Sequence, residues 1–196
     1  MASPTHIITE LRRLIPSQPL SLEQGIELAE QQAIRLRELL GSSQPLVELR
    51  SLTQLPDIDF RLVPDLAVAG MSECVGGSWL IVLRGRDDLI TRRFMLAREF
   101  WRVVMGGEAA FDADERMGPQ WTARAAEHFA ASLLMPRAHV YEAWARGMRQ
   151  VSYLAGCFLV SRDMMRRRLE TLGLQRVRDS RDGAAFCSPP IAWCLA

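Results

Sequence analysis

The sequence predicts an α+β fold in which helices lead into a small three-stranded antiparallel sheet and helices follow it. Three observations predict this. Apolar residues recur at three- and four-residue steps before residue 58 and after residue 87, but at every second residue between them. A Gly76-Gly77 pair separates two of the alternating stretches, as a tight hairpin turn does. The links between the alternating stretches are too short for parallel crossovers.

Each element carries its own signal. Residues 1–19, broken by Pro4, Pro16 and Pro19, form a short helical or irregular arm. A clear helix follows, with Ser21 as N-cap, Gln24 three residues on, and Gly41 where a C′ glycine belongs. Ile26, Ala29, Ala33, Leu36 and Leu40 mark its buried face. A shorter helix runs from Pro45 to just before Pro56. Residues 58–64, 66–73 and 78–85 are the three strands. Asp87 or Asp88 caps the next helix, which ends at Gly106-Gly107, and Pro119 opens another that closes at Met135-Pro136. Two short helices then flank a turn at Leu159-Val160, the second capped by Ser161. These elements divide into a helical arm (1–50), an α+β core (51–138), a helix-turn-helix-like unit (139–174) and a tail (175–196) expected to pack on the body.

Composition narrows the class. The chain has 196 residues, 48% hydrophobic and 24% charged, which excludes a disordered or collagen-like chain. Its net charge of +1 advertises no global field for nucleic acid. Every basic residue is Arg. Cys74, Cys157, Cys187 and Cys194 are scattered without a CxxC pair, which fits reduced thiols better than disulfides. No signal peptide or membrane-length apolar run occurs, so a cytoplasmic protein without membrane partners is expected. No nucleophile elbow or phosphate loop is present.

Four motifs stand in order. They are Arg93-Phe94-Met95-Leu96-Ala97, then Arg98-Glu99-Phe100-Trp101-Arg102, then the run from Ala126 through Phe129-Ala130-Ala131 to Leu133-Leu134-Met135-Pro136, and finally Phe158 to Gly173. Over roughly residues 25–174 the chain resembles the ImmA/IrrE metallo-endopeptidases. That resemblance implies a zincin-like core followed by a helical subdomain. It also implies two zinc-binding histidines at positions 98 and 102, a general base at 99, and an acidic third ligand at 123 or 125.

The chemistry those positions need is missing. Zinc takes a lone pair from neutral imidazole or carboxylate. Residues 98 and 102 are Arg98 and Arg102, whose guanidinium groups have donors and no acceptor. Ala123 and Ala125 have no ligand atom at all. Only Glu99 remains, and without zinc it has no bound water to activate. No metal and no cofactor is expected. Glu99 then becomes an ion-pair partner of Arg102, three residues on. Glu127, on the helical face of Ala123, is a second candidate partner for Arg98 or Arg102. His128 reads as a packed or surface histidine, and the acids Glu108, Asp112, Asp114 and Glu115 fall in a loop.

Val151 to Leu172 has helix-turn-helix spacing, with Arg162, Arg166, Arg167 and Arg168 as candidate phosphate contacts. The acids Asp163 and Glu170 dilute that patch, so the unit is expected to dock on the body with Met164, Leu169 and Leu172 buried. The function expected is a catalytically inactive regulatory module whose partner is a protein, such as a helix-turn-helix repressor or an antitoxin. The strand at 78–85 is its expected docking edge. Two alternatives are an active zinc endopeptidase with unconventional ligands and a DNA-binding regulator acting through residues 161–172.

Overall fold

In the computed structural model, which describes residues 6–106 and 119–174, the alternating segment forms a three-stranded sheet in the order β1-β3-β2. The strands are β1 (Ile58–Val63), β2 (Gly70–Val75) and β3 (Ser78–Arg84). The expected α+β class and three strands are present, but the sheet is mixed. β2 and β3 pair antiparallel, from Val75↔Ser78 to Gly70↔Leu83, whereas β1 runs parallel to β3, from Ile58↔Trp79 to Val63↔Arg84. A parallel pair needs a crossover of about a dozen residues or more. The turn after β1, β2 itself and the hairpin together supply it, so no helix is required. The hairpin turn is as expected: Gly76 and Gly77 take φ of 60° and 88°, both left-handed, where a side chain would be strained.

The helices are α1 (Ile7–Arg12), α2 (Leu22–Leu39), α3 (Leu89–Val104), α4 (Pro119–Leu134), α5 (Arg137–Ala145), α6 (Val151–Phe158) and α7 (Arg162–Thr171). Ser21 and Gln24 cap α2 reciprocally, and Gly41 ends it with φ 64° while the Ser42 N–H reaches the Arg37 carbonyl. Asp88 accepts from the Thr91 N–H at 2.7 Å to start α3, and Ser161 accepts from Met164 at 3.1 Å to start α7. The helix expected from Pro45 shortens to a 3-10 turn, Arg50–Gln54. The second strand starts at Gly70 rather than residue 66. The expected C-terminal tail, with Cys187 and Cys194, lies outside the described residues, as do the loop acids.

α3 packs across β2 and β3, and α4 lies against both α3 and α2. Phe100, Trp101, Phe129, Ile81, Leu83, Leu133 and Leu134, on these layers, are fully buried, as is Phe158 on α6. Trp121 closes α4 onto α2 over Gly25, where an added Cβ would sit 2.0 Å from the indole Cζ2.

Three arginines finish helices from a distance. Arg12 on α1 donates to the carbonyls of Val103 and Val104, 2.9 Å each, at the end of α3. Arg37 on α2 reaches Leu133 O at 3.1 Å, and Arg168 on α7 reaches Met135 O at 3.1 Å, both at the end of α4. Cations favour this end of a helix, where carbonyls lack partners. α7 therefore packs on the body through Met165, Arg168 and Leu169. Met164 and Leu172, expected to be buried, are only half-buried, because the inward face is rotated by one residue to Met165.

Candidate functional site

α3 carries Phe94, Arg98 and Arg102 along its partly solvated stripe, while Glu99 turns inward and is completely buried. A buried carboxylate needs every lone pair occupied. Glu99 meets that need with three donors. Arg98 donates from Nε and Nη2 to Oε1 at 3.1 and 2.9 Å, and Arg102 donates from Nη1 to Oε2 at 3.2 Å. The third donor is the Ser72 hydroxyl on β2, 2.9 Å from Oε2. Arg98 and Arg102 keep 29% and 21% of their side chains exposed, so each guanidinium shields the acid while facing water.

Ser72 is the site residue that sequence reasoning missed. Its signal was Gly70, two residues earlier and so on the same face of the strand. A Cβ at Gly70 would lie 2.7 Å from Leu83 Cδ2, 3.2 Å from Met95 Cε and 3.4 Å from Glu99 Cγ. The bare backbone there lets β2 approach α3 closely enough for Ser72 to reach Glu99.

The other expected site residues are placed as follows. Ala125 is fully buried in the core, while Ala123 is exposed, so of the two only 123 lies at the surface. Glu127 does not join the arginines. It is exposed and lines a separate cleft with Arg124, Met164 and Arg167, because α4 turns that face toward α7. His128 bonds Glu30 on α2 through Nε2 at 3.3 Å, and Arg168 donates to the same carboxylate at 3.3 Å. The His128 hydrogen bond, with Arg168 beside it, holds the Glu30 carboxyl down at about 2. On α7, Arg162 and Arg167 are exposed, Arg166 pairs with Asp163 at 2.6 Å, and Arg168 is buried.

The fold and this helix define a peptidase-like class. The model of the peptidase M78 family, the IrrE N-terminal-like domain, matches residues 52–170, and the chain belongs to that family. No curated protein matches it in sequence. Among solved structures, a Mycobacterium tuberculosis transcriptional regulator shares the fold with a TM-score of 0.58 at 19% identity, over 88% of this chain and 53% of that one. The chain thus spans about half the length of that regulator.

A zinc ion is what such a helix holds when histidines stand four apart. The donors present do not fit it. Guanidinium groups stand at 98 and 102, where the resemblance implies histidines, and Glu99 has its oxygens bound by three hydrogen-bond donors. Among the described residues, no cluster of three His, Cys, Asp or Glu side chains that suits a metal occurs elsewhere. No described helix is long and apolar enough to cross a membrane.

Proposed function

We propose that the chain is a non-catalytic member of its family that acts as a regulatory, protein-binding module. The observation that carries this reading is the state of Glu99. A general base must face a polarised water, whereas this carboxylate is sealed in the core and shared among Arg98, Arg102 and Ser72. The arginines have turned a catalytic position into a structural one. Likeness to a transcriptional regulator fits a regulatory setting.

The partner is an extended segment of a protein such as a repressor or antitoxin, added as a strand. The docking edge is an outer strand, β2, rather than the 78–85 strand expected from sequence, because β3 is paired on both sides. The Val75↔Ser78 pair closes a two-residue hairpin, and the Arg84 N–H bonds Ala69 O at 3.0 Å. Alternation along the ladder therefore points the amides of Ser72 and Cys74 outward. A DNA-binding role has less support, since Arg168 is buried and Arg166 is engaged by Asp163.

Zinc content and peptidase activity test the reading. Purified protein is expected to hold no stoichiometric zinc and to leave an unfolded protein substrate and repressor segments intact. About one zinc per chain, with cleavage abolished in Glu99→Gln, would establish the active-peptidase alternative instead.

A further inference from the structure

A second concavity lies away from the Glu99 site. It runs between α2 and α5 beside the end of α4, with a volume of about 840 Å³, and Ser132 and Arg168 are in its lining. Small-molecule sites span roughly 300–1,000 Å³ and combine apolar walls with a few polar groups. Here Ile34, Pro136 and Tyr141 provide apolar surface.

The polar groups are under-used. Arg168 is 2% exposed and Ser132 is 4% exposed, yet the Arg168 Nη1 and the Ser132 hydroxyl have no hydrogen-bond partner. His139, also in the lining, bonds Ser43 O through Nε2 at 2.9 Å and leaves Nδ1 unpartnered. Native proteins seldom leave such buried groups unsatisfied, so several around one cavity call for a ligand.

The charge balance gives the sign of that ligand. Arg37, Arg137 and Arg168 all line the cleft. Arg37 is buried against carbonyls alone, those of Leu133 and Gln44, and burial pushes its guanidinium down to about 10. The two carboxylates present are already committed, Glu38 to Arg35 at 3.0 Å and Glu30 to His128 and Arg168. The carbonyls at the end of α4 offset only about half a charge. Arg137 lies over the Tyr141 ring, 5.4 Å from its centroid.

We infer that this cleft binds a small organic anion, a carboxylate on an apolar body, with its head group on Arg168 and Ser132 and its body against Ile34, Pro136 and Tyr141. Nothing in this inference depends on the Glu99 site.

Calorimetric titration of the full chain with hydrocinnamate, its neutral amide and inorganic phosphate tests it. Hydrocinnamate is expected to bind saturably at one site, with the amide and phosphate at least about tenfold weaker. Ser132→Ala deletes a hydroxyl that bonds nothing in the fold, so the melting temperature should hold while affinity drops about fivefold. Ile34→Glu sets a carboxylate at an exposed position of the lining and should weaken binding as well. Absence of saturable hydrocinnamate binding overturns the inference. So does equal affinity for the amide or for phosphate, or affinity unchanged in both variants.

Discussion

Ser72 and Glu99 stand 27 residues apart, on β2 and α3, and the Ser72 hydroxyl donates to the Glu99 carboxylate across 2.9 Å. This one bond ties the edge strand β2 to α3. With Arg98 and Arg102 it makes the inward acid part of the scaffold.

Removing the donors should therefore cost stability. Arg98→Ala or Arg102→Ala is expected to lose about 1–2 kcal/mol, since each leaves Glu99 one charged hydrogen-bond partner short. The double variant should lose about 3 kcal/mol, below the upper range for buried pairs because both arginines are partly solvated. Urea unfolding measures this. A double variant within about half a kcal/mol of wild type would show that the arginines do not hold Glu99.

Acid should act through Glu30. Its carboxyl is held at about 2, below its ordinary 4.5, first by the His128 hydrogen bond and then by Arg168. A depressed pKa gives stability that is complete above the unfolded value and lost as pH falls from about 4.5 toward 2. Partial solvent exposure reduces the gain to about 2 kcal/mol at neutral pH. Glu30→Gln should flatten this part of the stability profile, as denaturant melts between pH 5 and about 2 would record. An unchanged slope in the variant would remove Glu30 as the cause.

Gly25→Ala should destabilise the fold although the exchange favours an isolated helix. The new methyl would meet Trp121 at 2.0 Å, and overpacking of this kind costs about 1–3 kcal/mol against a propensity gain of about 1. A lower melting temperature is expected. A higher one would mean that Trp121 can leave α2 freely.

Hydrogen exchange should show a period of two along β2. The amides of Met71 and Glu73 face β3 and should exchange slowly, while those of Ser72 and Cys74 face outward and should exchange fast. Uniform protection would reveal that the outer edge is already covered, which conflicts with its use as a docking edge.

Local signals in the sequence were informative wherever a short stretch of chain decides the outcome. Ser21, Asp88 and Ser161 cap helices because their side chains reach an N–H three residues away, and Gly76-Gly77 turns because both residues need positive φ. The family and the helix that carries Arg98, Glu99 and Arg102 were equally plain. What could not be read was pairing across distance. The parallel alignment of β1 depends on β3 entering between two earlier strands, and β1 itself carries no mark of it. The roles of Arg12, Arg37 and Arg168 were hidden for another reason. A guanidinium on a helix face reads as solvated unless the distant carbonyls it serves are known.

Those distant carbonyls bear on how the protein comes apart. Arg37 near the start of the chain and Arg168 near the end of the described residues clasp the same helix terminus, at Leu133 and Met135. Lifting α7 away would carry Arg168 with it and strip both the Met135 carbonyl and the Glu30 carboxylate of a donor, so the last two helices are expected not to come away alone. Across the division near residue 139 that the sequence invites, the two sides are expected to melt together as one cooperative unit.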